Sequence, residues 1–318
     1  MIYAPIIIPT CNRYEHFCKC IESLKSNTFA RYTELFISVD YPPELRYENG
    51  NKKIKEYLKN GISGFKNVDI IYQPKNLGAY NNELFLINMV FKRYDRYIFT
   101  EDDNVFASNF IEYIDKGLEL FKNNDNVIAI CGTRASEGNR ENDKGNVVLS
   151  QKFIGYGFGI WKEKYELLLS TINRKYLVEH IFPIKNMLNI YHQNSSLLLA
   201  YAAAVLKKEK VYVRDDGEVP LIDETIKFFL ELERKYVVHP IDTLVLNFGC
   251  DGSGLNCKNN HKEYNISMLS TQKVFDYHIP SKMNIREYTR MDEKSKKRLR
   301  CYHAIISLMI FRLINNGD

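Results

Sequence analysis

Ile98-Phe99-Thr100-Glu101-Asp102-Asp103 runs from an apolar segment straight into three adjacent carboxylates, with Asn104 next and an amphipathic pattern beginning near Phe110. Three neighbouring acids repel one another at neutral pH, so the run makes physical sense chiefly where a cation or a polyhydroxylated ligand shares the site. The alternative is a solvated turn, the commonest fate of an acidic run. The surroundings decide between them, because in an open α/β sheet the carboxyl end of a strand is where ligands bind.

Outward from the acids, the pattern alternates. On the amino-terminal side, Ile6-Ile7-Ile8 reads as a buried strand, Pro9-Thr10-Cys11-Asn12-Arg13 as a polar loop, and Phe17, Ile21 and Leu24 as one face of a helix. Leu35 to Val39 is a second strand; it stops at Asp40, and Pro42-Pro43 force the chain out of the sheet. A helix over Lys52 to Lys59, a strand over Val68 to Tyr72, the turn Asn76-Leu77-Gly78 and a helix over Asn82 to Phe91 follow. Beyond the acids, Phe110, Ile114, Leu118 and Phe121 form a helical stripe and Val127 to Cys131 another strand. Strands alternating with helices imply a mainly parallel sheet covered on both faces.

The rest of the chain is less regular. Ser136 to Gly145 reads as a loop. Then come the aromatic, Gly-rich stretch Gly155 to Trp161, a helix from Lys162 to about Leu169, an apolar helix over Ser195 to Leu206, a helix over Asp223 to Leu232 and a short strand over Tyr236 to Val238. This pattern divides the chain into residues 1–135, 136–290 and 291–318.

Composition narrows the function. At 318 residues with 45% hydrophobic and 26% charged, the chain has the make-up of an ordinary globular protein with a sizeable core. A net charge of +5 is too mild, and the aromatics too core-like in spacing, for nucleic acid to be the main partner. Seven cysteines without a CxxC pair suggest reduced thiols and neither a disulfide framework nor a zinc ribbon. No signal-peptide pattern opens the sequence and no apolar run reaches the roughly 18–20 residues of a membrane span, so a cytoplasmic protein is expected.

The order of Pro9-Thr10-Cys11-Asn12-Arg13, a strand ending in Asp40, Asn76-Leu77-Gly78 and a strand ending in Glu101-Asp102-Asp103 resembles the GT-A family of nucleotide-sugar glycosyltransferases. Together with the aromatic segment ending in Trp161, it is similar to bacterial transferases that build surface polysaccharides. The resemblance covers roughly residues 4 to 257 and implies a GT-A, Rossmann-like sheet covered by helices, a less regular acceptor-side region and a terminal helix. Pro9, Thr10, Asn12 and Arg13 would line the nucleotide pocket, as a loop offering amide donors and a guanidinium can. Asp40 would meet the base or ribose, or else cap its own turn. Asn76 and Gly78 would form a ligand-facing turn, with a helix cap as the competing reading. Glu101 and Asp102 would meet the ribose or donor sugar, and Asp103 the metal, Mn2+ or Mg2+, which needs few protein ligands when a diphosphate supplies the rest.

An inverting transfer also needs a base for the acceptor hydroxyl. Asp223, opening a helix, is the candidate, with Glu224 and Asp251 behind it and an N-cap as its plain alternative. The family's pattern continues through Pro240, Asn247-Phe248-Gly249 and Asp251-Gly252-Ser253-Gly254, but Ile222 stands where a Trp is usual. Trp161 could stack on an acceptor sugar or lie in the core. Of the histidines, His239, His261 and His278 could each complete a metal shell, although none has diagnostic spacing.

Lys294 to Arg300 is a dense basic run leading into Leu299, Tyr302, Ile306, Met309 and Leu313 at helical spacing. It suits a peripheral contact with anionic lipid on the inner membrane face, or packing on the core or a second subunit.

The expected activity is hexosyl or N-acetylhexosaminyl transfer from a nucleoside diphosphate sugar, a UDP-sugar first among them, to a glycan or lipid-linked acceptor. The rivals are a sugar-phosphate nucleotidyltransferase and a non-catalytic carbohydrate-binding protein. Nucleotidyltransferases normally carry glycines in the first loop, and Pro9 to Arg13 contains none.

Overall fold

A computed structural model of the chain describes residues 2–134, 147–181, 184–193, 195–206, 222–249, 251–252, 269–270, 275, 277 and 296–315. In order these form β1 (Ile6–Thr10), α1 (Tyr14–Lys25), β2 (Glu34–Val39), α2 (Leu45–Lys59), β3 (Asn67–Tyr72), α3 (Gly78–Val90), β4 (Arg96–Phe99), β5 (Asn104–Phe106), α4 (Phe110–Leu120), β6 (Val127–Cys131), β7 (Val147–Ser150) and β8 (Phe158–Trp161). They continue with α5 (Lys162–Thr171), α6 (Arg174–Ile181), α7 (Ile184–Gln193), α8 (Ser195–Leu206), α9 (Ile222–Leu232), β9 (Tyr236–Pro240), β10 (Val245–Asn247) and α10 (Lys296–Asn315). The described residues fall into two compact units, one within Met1–Leu149, Ile154–Glu163 and Val237–Asn284, the other within Ser150–Phe153, Lys164–Tyr236 and Ile285–Asp318.

An eight-stranded sheet, ordered β3-β2-β1-β4-β8-β6-β9-β7, organises the first unit. β1, β2, β3 and β4 are parallel. β8 runs against both β4 and β6, so β6 points the same way as the parallel set. Ile6, Ile7 and Ile8 are all fully buried, as a strand covered on both faces requires. α1 turns Phe17, Cys20, Ile21 and Leu24 inward at helical spacing. Phe17, Ile21 and Leu24 each contribute about 1.5–3 kcal/mol over the exposed state. The α/β alternation read from the sequence is therefore the observed fold.

α2 begins at Leu45, well before Lys52, because Asn49-Gly50-Asn51 is a packing contact and not a turn. A Cβ on Gly50 would lie 1.9 Å from the Asn12 carbonyl oxygen, so only glycine lets the helix come this close to the loop after β1. Asn51, buried beside it, donates through Nδ2 to the carbonyls of Cys11 (2.7 Å) and Asp40 (2.9 Å).

Trp161 takes the core alternative. It pairs with Arg96 at the amino end of β4, the end away from the acids, and its indole N–H donates to the Leu118 carbonyl at 3.1 Å. With 5% of its surface exposed, the ring offers no face for a sugar to stack on.

Asp115 on α4 is fully buried; Oδ1 accepts from the Ala4 N–H at 2.9 Å and Oδ2 has no partner. Burial pushes its carboxyl up to about 7, against the opposing pull of the Ala4 N–H and Arg96. The folded state thus holds a proton that the unfolded chain releases near pH 4, so this group's contribution to stability is greatest at low pH and falls as pH rises towards 7. Asp115→Asn should flatten this dependence, raising stability at pH 8 by roughly 1–4 kcal/mol and changing little at pH 4. Denaturant unfolding at both pH values is the check, and equal slopes for the two proteins would refute it.

In the second unit α8 is apolar nearly all round, burying Leu197, Leu198, Tyr201 and Val205 among α6, α7, α9 and α10. α10 is two-faced. Cys301, Ala304, Ile305 and Leu308 are buried, with the Cys301 thiol on the Ser195 carbonyl, while Ile306, Ile310, Leu313 and Ile314 are exposed. No described helix is long and apolar enough to cross a membrane.

Candidate active site

The carboxyl ends of β1, β2 and β4 each carry one of the sequence's polar motifs, and the short β5–β10 pair adds a fourth. Two clusters result.

The first is built on Arg13, at the N-cap position of α1. Its guanidinium forks across the acids, Nη2 to Asp102 Oδ1 at 2.5 Å and Nη1 to Asp103 Oδ2 at 2.6 Å. Thr10 donates its hydroxyl to Asp102 Oδ2 at 2.6 Å, and Asn247 its amide to Asp103 Oδ1 at 2.8 Å. Both acids are only 4% exposed. Burial raises the Asp102 carboxyl; Arg13 and Thr10 oppose that and neighbouring Asp103 adds to it. For Arg13 burial works against the charge, but the two carboxylates outweigh it and hold the guanidinium ionised. Glu101 is half-buried beside them, and Cys20 donates its thiol to the Glu101 carbonyl.

Asn247 and its neighbours were read as acceptor-side elements, yet β10 pairs antiparallel with β5 so that Asn247 faces Asn104, directly after Asp103. Phe248 N–H then donates to the Asp103 carbonyl at 2.9 Å. Gly249 follows, where a Cβ would lie 2.0 Å from Asp103 Oδ2. Any other residue there would push the carboxylate aside.

The second cluster is built on Asp40. Oδ1 accepts from the N–H groups of Tyr41 (2.8 Å) and Leu77 (2.9 Å), and Oδ2 from the Gly78 N–H (2.9 Å) and the Asn76 amide (3.1 Å). A carboxylate has about four acceptor sites, and these four donors fill them. Asp40 here takes the capping role that was the alternative to a contact with the base or ribose. It clamps the Asn76-Leu77-Gly78 turn to the end of β2. Gly78 meets nothing within 4 Å and has φ 77°, so its glycine serves backbone conformation. Asn82 locks α3 to β2 by donating to the Ser38 carbonyl, and Asn81 donates to the Leu77 carbonyl. The clusters are joined through Asn51, which spans the loop after β1 and the end of β2.

Two residues, Asn51 and His16, entered the site without a reading from the sequence, and Thr10, read as part of the nucleotide loop, proved a direct partner of Asp102. His16 Nε2 lies 2.8 Å from Asp251 Oδ2, a pair separated by 235 residues. Only the placement of an Asn-Gly-Asn inside a helical register could have pointed to Asn51. Cys11 is no nucleophile, since burial first and Asp40 and Asp102 next push its thiol up to about 12. His239 is buried with Nδ1 at the Thr133 carbonyl, a structural place, while His261 and His278 lie outside the described residues, as does the 136–145 loop.

Asp223 stands in the first turn of α9, in the second unit. Burial pushes its carboxyl up, Lys227 pulls it down and Glu224 raises it. Glu224 is itself paired with Lys227 at 3.0 Å. Among the described residues no three His, Cys, Asp or Glu side chains gather as a ready metal-ligand set. Asp102 and Asp103 nevertheless have the hard oxygens a divalent ion prefers, with two of about four acceptor sites taken on each.

A mainly parallel sheet with a polar loop after its first strand and paired acids after its fourth is the arrangement of the GT-A fold. The profile of glycosyl transferase family 2 matches residues 6–182, more than half the chain, and the protein belongs to that family. That membership favours glycosyl transfer over the nucleotidyltransferase reading. No curated relative matches the chain in sequence. Similar solved structures include S. aureus TarS 1-349 in complex with UDP, 12% identical with a TM-score of 0.35 over 63% of this chain and 55% of that one. The Pyrobaculum calidifontis mannosyltransferase PcManGT in complex with GDP-Man and Mn2+ is 11% identical, TM-score 0.38, over 72% and 69%. The match spans 24% of the longer TarS chain.

Proposed function

We propose that the protein transfers a hexosyl or N-acetylhexosaminyl group from a UDP-sugar or related nucleoside diphosphate sugar to a hydroxyl of a glycan or lipid-linked acceptor in surface polysaccharide synthesis, with inversion and with a divalent metal. The observation that carries this reading is the convergence of Thr10, Arg13, Asp102, Asp103 and Asn247 at the carboxyl ends of the parallel strands. Pro9, Thr10, Asn12 and Arg13 line the nucleotide pocket, and Arg13 supplies charge to the diphosphate. Asn76 and Gly78, fixed by Asp40, form the pocket's second wall. Glu101 and Asp102 face the ribose and donor sugar. Asp103 would hold Mn2+ or Mg2+, which when bound supplies Lewis-acid stabilisation to the leaving diphosphate.

The acceptor is taken by residues 136–290 apart from Asn247, Phe248 and Gly249, which seat Asp103. There Asp223 removes the proton from the acceptor hydroxyl as its oxygen attacks the anomeric carbon and the nucleoside diphosphate departs with the bonding electrons. Its raised carboxyl favours it over Glu224, whose charge Lys227 already engages. Release of nucleoside diphosphate from a panel of nucleotide-sugars, with and without manganese, tests the whole reading. No metal-dependent release from any donor would refute it.

The exposed face of α10 meets anionic lipid at the inner face of the membrane. The helix begins with Lys296-Lys297-Arg298 in sequence, continues through exposed Arg300, and leaves Leu313 75% and Ile314 72% exposed. Deleting the helix would uncover α8, so the cleaner test keeps it. Ile306→Glu with Leu313→Glu should reduce sedimentation with anionic liposomes at low salt by about tenfold, since each loses buried apolar area and adds repulsion. Unchanged sedimentation would reject the lipid contact, and a change of oligomeric state in its place would assign the face to a second copy.

A further inference from the structure

We propose that Arg13 is the resident counter-cation of the acid pair, and that it changes partners when the donor arrives: the guanidinium leaves Asp103 for the diphosphate, and Asp103 then becomes free to hold a divalent ion. The inference rests on the reading of the site as one for a nucleoside diphosphate sugar, and adds an order of events to it.

The acids themselves are held still. Thr10 pins Asp102 through Oδ2, Asn247 pins Asp103 through Oδ1, and the Gly249 backbone closes against Asp103 Oδ2. Arg13 is the long, rotatable member of the group, and its side chain is 19% exposed against 5% for each carboxylate. It neutralises two adjacent, nearly buried acids that would otherwise repel one another. A divalent ion seeking Asp103 meets that positive charge at the same oxygen, 2.6 Å away. Metal and guanidinium therefore compete. A diphosphate changes the balance, because it offers the planar fork a second bidentate anion and offers the metal further oxygens. Metal binding and nucleotide binding become coupled through one side chain, and by linkage each raises the affinity of the other.

Manganese binding, read from the free-ion signal in electron paramagnetic resonance titrations with and without UDP, tests this directly. The full chain should bind Mn2+ weakly alone and at least tenfold more tightly with UDP. In Arg13→Gln the affinity without UDP should rise about tenfold or more, and the UDP effect should shrink to what the diphosphate's own oxygens add to the metal. Arg13→Lys should fall between, since one ammonium cannot fork across both acids, and it carries the same comparison where the glutamine variant does not fold. Nucleotide-free affinity no higher in either folded variant than in the unaltered protein, with UDP still promoting binding, would overturn the partner exchange and leave the metal-dependent reading standing. No Mn2+ binding by the unaltered protein in the presence of UDP would overturn both.

Discussion

Asp103→Asn should cost nucleotide-sugar affinity in manganese on the order of a hundredfold or more while the protein stays folded. The substitution is nearly isosteric: an amide oxygen remains for Asn247, and Arg13 keeps its ion pair with Asp102. What is lost is one negative charge at the one acid that, among the described residues, meets Arg13, Asn247 and the Gly249 backbone together. Isothermal calorimetry with the donor in Mn2+, beside circular dichroism for folding, separates the two effects. Unchanged affinity would remove Asp103 from the donor site.

Asp223→Asn acts on the other substrate. A general base typically contributes between a hundredfold and ten-thousandfold, so turnover should fall by roughly a hundredfold or more, with donor affinity unaltered. Because burial raises this carboxyl, the activity of the unaltered enzyme should rise with pH through an apparent pKa above the ordinary Asp range and level off above it. Turnover close to normal in the variant would pass the role to Glu224 or to Asp251, the latter already paired with His16. A product that retains the donor's anomeric configuration would reject the inverting mechanism itself.

The parts of the fold that were legible in sequence are those with a period. Ile6-Ile7-Ile8, Leu35 to Val39 and the Phe110-Ile114-Leu118 stripe report burial directly, and all three are where they were expected. β5 and β10 have three residues each, too few to show alternation, and only their mutual hydrogen bonds make them strands. Asn49-Gly50-Asn51 has the composition of a turn, but tertiary contact with Asn12 and Cys11 overrides it. Asp40 and Trp161 show a related limit. A carboxylate after a strand and a lone indole in a Gly-rich stretch each admit two readings, and only the list of their partners chooses. The pairing of His16 with Asp251 leaves no local trace at all.

The seat of Asp103 also has a place in time. Asn247 lies 144 residues beyond the acid it holds. At about 5–20 residues per second, a ribosome needs on the order of ten seconds to make that stretch. Through that interval the nascent chain already carries the acid pair, with Thr10 and Arg13 made long before, but has nothing to close over Asp103. The seat of Asp103 is therefore finished well after the acid itself is made, and a chain cut short after the 6–182 segment that matches the family would display the motif without that seat.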